Sequence, residues 1–315
     1  MLFSFIKLLL PLVVFLLPIW RVSASNLMIQ ASGNGTISLT WNAGATGSVN
    51  VERSINLSAW SVVSEGNSNG TFTQSTGNDT KAFYRLVSAF EPDTMLTVQG
   101  NVSAEIPNLL VANTETTWGE WKRVRAWATA NGYDLTDISA VNGSVDRQPV
   151  HSVSWFDVLK WCNAKSEMES RTPVYTVNGS VYRSGESVPA MNLSADGYRL
   201  PTEAEWVWAA EGGDQSKGTI YSGSNTANDV AWYDDNSAGG PKPVGTKAAN
   251  ELALFDMSGN VFEWCWDVQF GNTRGLRGGS WVTTAAQCEL SFGFEQYGNT
   301  KSLEIGFRPV RNLAP

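Results

Sequence analysis

The chain has 315 residues, 42% apolar and 17% charged, with a formal net charge of −8 and an isoelectric point near 4.8. This composition is globular and long enough for one large domain and a small one, while an acidic balance with no basic cluster argues against nucleic acid or an anionic membrane surface as partner. A single histidine, His151, rules out multi-histidine zinc or iron centres and is expected at the surface or in a loop, and three cysteines, Cys162, Cys265 and Cys288, allow at most one disulfide and leave a thiol over.

In chain order, Met1 to Ile6 and Lys7 precede an apolar run from Leu8 to Trp20, shorter than the about 20 residues a membrane span needs. Val22-x-Ala24 then matches the small-residue pattern of signal-peptidase sites, so residues 1–24 are expected to be a signal peptide, with an uncleaved anchor as the alternative. Either places the rest of the chain in a periplasm or an extracellular space, with no further span expected. From residue 25 to residue 90 short alternating segments are separated by Gly/Asn/Ser turns: Ile37, Leu39 and Trp41 alternate with Ser38 and Thr40, and Val49 and Val51 with Asn50 and Glu52. That periodicity predicts strands with one buried face. The segment resembles a small fibronectin-like β-sandwich, expected to serve as a spacer or adhesion module.

Glu91-Pro92-Asp93 marks a boundary, and residues 91–315 change to helices and irregular loops rich in tryptophan. Thr117-x-x-Glu120 reads as a capping box opening a helix with Trp118, Trp121, Val124 and Ala128 on one face, ended by Asn131-Gly132. Ser154-x-x-Asp157 opens a second helix with Trp155, Val158, Leu159 and Cys162 at core spacing, and Thr202-x-x-Glu205 a third ending before Gly212-Gly213. Cys162 and Cys265 both read as core residues. With 14 tryptophans, aromatic side chains rather than long helices or wide sheets are expected to fill the interior.

Taken in order, Val153-Ser154-Trp155, Gly197 to Trp206 (GYRLPTEAEW), Pro243-Val244-Gly245, Asp256 to Trp264 (DMSGNVFEW), Arg277 to Trp281 (RGGSW) and Gly306-Phe307-Arg308 resemble the signposts of the formylglycine-generating enzyme, or sulfatase-modifying factor, family over about residues 95–312. The resemblance implies an α+β fold of the C-type-lectin-like kind, preceded here by the small all-β sandwich. It also implies an oxygen-dependent oxidase that converts a cysteine of an exported sulfatase to formylglycine with copper(I) held by two cysteine thiolates, since soft thiolates select that ion. Counted from the RGGS motif, the second of those cysteines is Cys288 and the first is Thr283, a hard hydroxyl that cannot replace a thiolate. Cys288 is therefore either a retained half-site for copper or redox chemistry or a buried thiol. Ser280 matches the motif serine beside the family's active site, or else belongs to a tight strand entry requiring permissive glycines.

The resemblance further implies a structural calcium held by Gly259, Asn260, Val261 and Glu263, because calcium takes hard oxygens in irregular geometry. The loop from Asn228 to Gly240 looks too short for a second calcium site. Three functions compete: a formylglycine-generating oxidase; a non-catalytic scaffold that holds a peptide or sugar in a tryptophan-lined cleft; and, least favoured, hydrolysis by Asp234 and Asp235, adjacent acids typical of a solvated turn.

Overall fold

A computed structural model describes the backbone of seven strands between residues 13 and 88, and backbone and side chains of residues 94–139, 141 and 145–313. The chain forms two compact units, residues 1–91 and 92–315. In the first, β1 (Val13–Leu16), β2 (Met28–Ser32), β3 (Thr36–Asn42), β4 (Val49–Ser54), β5 (Ser61–Asn67), β6 (Asn69–Ser75) and β7 (Lys81–Ser88) make two sheets in the orders β1-β7-β4-β5 and β2-β3-β6. β1, inside the N-terminal apolar run, pairs in parallel with β7, and the other pairs are antiparallel. The remainder of the expected signal peptide and its Val22-x-Ala24 site, the Glu91 to Asp93 boundary, and the inward faces expected for Ile37, Leu39, Trp41, Val49 and Val51 lie outside the described residues and side chains.

The second unit runs β8 (Met95–Val98), β9 (Leu109–Ala112), α1 (Trp118–Ala130), α2 (Trp155–Met168), β10 (Tyr175–Val177), β11 (Ser180–Val181), β12 (Ala190–Met191), β13 (Tyr198–Arg199), α3 (Glu203–Ala210), α4 (Ala227–Val230), β14 (Phe262–Val268), β15 (Thr273–Arg277), β16 (Phe294–Tyr297), β17 (Ile305–Gly306) and β18 (Val310–Asn312). These strands form small sheets in the orders β13-β18-β9-β8, β16-β15-β14-β17 and β11-β10-β12. It is the expected α+β architecture.

The three expected helices, α1, α2 and α3, start at the expected residues, because each N-cap hydroxyl satisfies a backbone N–H that the first turn leaves open. Thr117 accepts from Glu120 N, Ser154 from Asp157 N and Thr202 from Glu205 N. Only α3 has the reciprocal capping box, Glu205 accepting the Thr202 N–H at 2.8 Å. At α1 the expected box is half formed, because Glu120 is fully buried and its carboxylate turns instead to Arg123 and to the buried Lys165 of α2. A buried lysine holds its charge only when paired, and that demand outcompetes the cap.

The interior is aromatic. Trp121 of α1 and Trp161 of α2 stack with centroids 6.1 Å apart and planes 1° apart, and the edge of Phe307 meets both. Each such side chain contributes about 1.5–3 kcal/mol by burial. Cys162, Trp155, Val158 and Leu159 are buried on α2 as their spacing predicts. His151 departs from expectation: it lies in a loop yet is 7% exposed. Ser152 beside it adopts φ 60 and its N–H bonds Ser302 O, folding the loop inward, and burial pushes the imidazole down to about 4.

Candidate functional site

The motif residues turn out to be cross-links between distant segments. Arg199 donates to both oxygens of Glu205 at 2.7 Å, tying β13 to the first turn of α3. One residue on, Trp206 donates through Nε1 to Glu263 on β14 at 2.7 Å, and Glu263 is also held by Arg308 Nη2 at 2.8 Å. Glu203 accepts from Arg277 Nε at 2.8 Å, fixing the end of β15. Four motifs thus meet around α3, and losing one partner of a buried ion pair of this kind costs about 3–5 kcal/mol.

Beyond Arg277 the chain turns sharply through Gly278 (φ 94) and Gly279 (φ 78), a conformation open to glycine and costly for other residues. A β-carbon on Gly279 would lie 2.7 Å from Cys288 Sγ, so the glycine lets the thiol close over the backbone. Ser280 and Thr283 then form a compact turn: Thr283 Oγ1 accepts from Ser280 N and donates to Ser280 O, both at 2.9 Å. A short 3-10 turn, Ala285–Cys288, capped by Thr284 and Gln287, brings the chain back. Thr283 Oγ1 and Cys288 Sγ end 3.6 Å apart, both buried. The position expected to hold the first cysteine is therefore in contact with the second.

Burial pushes the Cys288 thiol up to about 11, with the Asp234 carboxylate adding to the rise and the Thr283 and Ser280 contacts opposing it. Tyr221, Ala227, Val230, Ala231 and Tyr233 pack around it. All three cysteines are buried, and each lies in a different core cluster: Cys162 with the α1–α2 tryptophans, Cys265 with Trp206 and Met257, and Cys288 with the tyrosines. Ser280 Oγ, fully buried, has no hydrogen-bond partner among the described residues. One protonated thiol and two hydroxyls thus share the pocket. Asp234 and Asp235 form the expected turn, with Asp235 N donating to Asp234 Oδ1.

Gly259, Asn260, Val261 and Glu263 also come together, with their oxygens largely engaged. Arg308 and Trp206 take Glu263, Asn260 Oδ1 accepts from Lys242 N, and Asn260 O accepts from Trp281 N. Glu115, a residue the sequence reading missed, accepts from Asn260 Nδ2 and Val261 N. Burial, then repulsion from Asp256 and Glu263, holds its carboxyl well above the usual range. Asp256 is raised too, chiefly by burial, and its Oδ1 has no hydrogen-bond partner among the described residues. Three carboxylates here face the Arg308 guanidinium. Among the described residues no three His, Cys, Asp or Glu side chains are placed to hold a metal by themselves.

A cleft of about 750 Å³ opens beside Cys288, lined by Val207, Glu211, Ile220, Arg277, Glu289 and Leu290 among others, with no tryptophan in its wall. The expected tryptophan-lined cleft is not found there, because Trp121, Trp155, Trp161, Trp206 and Trp264 are spent on the interior.

The model of the sulfatase-modifying factor enzyme 1-like domain matches residues 66–313. The chain belongs to this family. Within it, the chain is 36% identical over 198 residues to the chaperone protein LppX of Paenibacillus barcinonensis, covering 53% of this chain and 71% of that one. It is 42% identical over 79 residues to the formylglycine-generating enzyme of Mycobacterium tuberculosis, 22% of this chain and 26% of the enzyme. It is also 36% identical over 107 residues to the inactive C-alpha-formylglycine-generating enzyme 2 of Bos taurus, 28% and 34% of the two chains. The chain thus spans about a third or less of the last two relatives. Among solved structures it resembles CarF, at TM-score 0.62 and 28% identity over 70% of this chain and 99% of that one. It also resembles Treponema denticola variable protein 1, at TM-score 0.54 and 27% identity over 69% and 91%.

Proposed function

We propose that this chain is a non-oxidising member of the family that acts outside the cytoplasm by binding a polypeptide partner, with residues 25–90 as its spacer. The observation that carries the reading is the contact between Thr283 and Cys288. Copper(I) needs soft thiolates, whereas Thr283 offers a hydroxyl already committed to the backbone of Ser280, which leaves Cys288 as a single thiol. Neither Cys162 nor Cys265 shares the cluster of Cys288. The pocket does not fit the copper of the oxidases.

Two of the relatives support the same reading: one is named as an inactive enzyme and another as a chaperone. A polypeptide also suits the cleft better than a sugar, because its wall has no tryptophan to stack on a sugar ring. Calcium fits the neighbouring acidic cluster in charge, with Asp256 as the side chain that has an oxygen to offer, while Glu263 stays with Arg308. An ion there would supply rigidity to the DMSGN turn.

The test is aerobic incubation of the full chain, supplied with copper, with a cysteine-containing sulfatase-motif peptide and mass detection of formylglycine. No conversion is expected. Turnover by the native chain would overturn the reading and restore the oxidase.

A further inference from the structure

The cleft beside Cys288 has two sides joined by a backbone hydrogen bond from Leu290 N to Ile220 O at 3.0 Å. Val207, Ile220 and Leu290 supply its apolar surface, and Ile220 is 49% exposed there. Glu211, at the C-terminus of α3, and Glu289, directly after Cys288, add two carboxylates to the lining.

The nearby cations are already committed. Arg277 lines the cleft, but its guanidinium donates through Nε and Nη2 to Glu203 and through Nη1 to Phe292 O. Lys217, on the loop that forms one wall, reaches Glu251 at 3.4 Å. Among the described residues neither Glu211 nor Glu289 makes a salt bridge, so the cleft carries two unmatched negative charges over an apolar floor. A groove of this size that combines apolar surface with a few placed polar groups is the usual form of a ligand site. Unmatched charges in such a groove select a partner of opposite sign and speed its arrival.

We propose that this cleft docks an extended segment of the partner polypeptide in which apolar residues flank a lysine or arginine, the cation lying between Glu211 and Glu289 and the apolar side chains on Val207, Ile220 and Leu290. The proposal rests on the polypeptide-binding reading and adds to it the place of binding and the chemistry of the bound segment. It needs no cysteine in the partner. Cys288 serves the cleft by position, as its buried thiol packs the 3-10 turn that presents Glu289.

The test uses the full chain and three short fluorescein-labelled peptides of valine and serine, one with two lysines, one with two glutamates in their place, and one with neither, read by fluorescence anisotropy. The lysine peptide is expected to bind most tightly. The double variant Glu211→Gln with Glu289→Gln is expected to weaken it about tenfold, as is raising salt to about 0.5 M, while the neutral peptide changes little. Both side chains reach solvent, so the double variant is expected to keep the native unfolding midpoint. Ile220→Ser is expected to weaken the lysine and neutral peptides alike. Equal binding of all three peptides, or lysine-peptide binding untouched by the double variant, would overturn this site and leave polypeptide binding standing. Failure of every peptide to bind would overturn both.

Discussion

Thr283 Oγ1 lies 3.6 Å from Cys288 Sγ while exchanging two hydrogen bonds with the backbone of Ser280. The threonine is thus a structural substitute: its hydroxyl closes a turn and also touches the remaining thiol. A partner that anchors the turn cannot at the same time be released to a soft metal.

The thiols should be inert in the folded chain. All three are buried, and Cys288 is pushed up to about 11 by that burial. At pH 8 iodoacetamide is expected to leave the native chain unmodified and to add three groups after unfolding, read by intact mass. The sign of the linkage is fixed. The folded thiol keeps its proton above the unfolded value, so from about pH 9 to about 11 the unfolded chain ionises first and stability falls as pH rises. Rapid native alkylation of Cys288 at pH 8 would contradict the burial argument.

Replacing Gly279 with alanine should be costly. Its φ is 78, and a β-carbon would sit 2.7 Å from both Cys288 Sγ and the Gln287 carbonyl oxygen. A loss of about 1–3 kcal/mol is expected in denaturant unfolding. Relief by a second change, Cys288→Ala, should be only partial, because the Gln287 oxygen belongs to the backbone.

Arg308→Met should be worse. It strips Glu263 of its buried cation and removes the same guanidinium from beside Glu115 and Asp256, for an expected loss of about 3–5 kcal/mol. Adding Glu263→Gln should recover part of this loss, since it removes one of the stranded charges. A loss below about 1 kcal/mol, the range of surface pairs, would show that the cluster is not the central tie described above.

His151 gives a pH signature of opposite sense to that of Cys288. Burial holds its imidazole at about 4, below its ordinary 6.5. As pH falls through 6.5 the unfolded chain gains a proton that the folded chain refuses until about pH 4, so stability falls over that window. His151→Gln should flatten this part of the stability profile, and an unchanged slope would contradict it.

Much of this architecture is legible in the sequence, and the reason is locality. Thr117, Ser154 and Thr202 announce their helices because the groups they cap lie two or three residues away, and Cys162 reads as core because its neighbours on α2 repeat at helical spacing. The motif strings were readable as a family signature, but their physical role was not: Trp206 meets Glu263 across 57 residues, and no local pattern reports such a contact. Glu115 was missed for the same reason, since nothing in Asn113-Thr114-Glu115-Thr116 distinguishes a buried carboxylate from a solvated one. The burial of His151 depends on a loop closing against Ser302, and the half-formed box at Glu120 on a lysine 45 residues away. The cleft is built from four separate segments, α3, the loop through Ile220, the end of β15 and the stretch after Cys288, and is invisible until they meet.

The most direct test of the account is an anaerobic copper(I) titration of the native chain beside Thr283→Cys. The native chain should show no tight stoichiometric binding, and the variant should take up one ion, because the second thiol is placed against Cys288 on a turn that Gly278 and Gly279 already set. Tight stoichiometric binding by the native chain would contradict the claim that Thr283 removes the copper site, and a variant that folds but binds no copper would contradict the placement of Thr283 against Cys288.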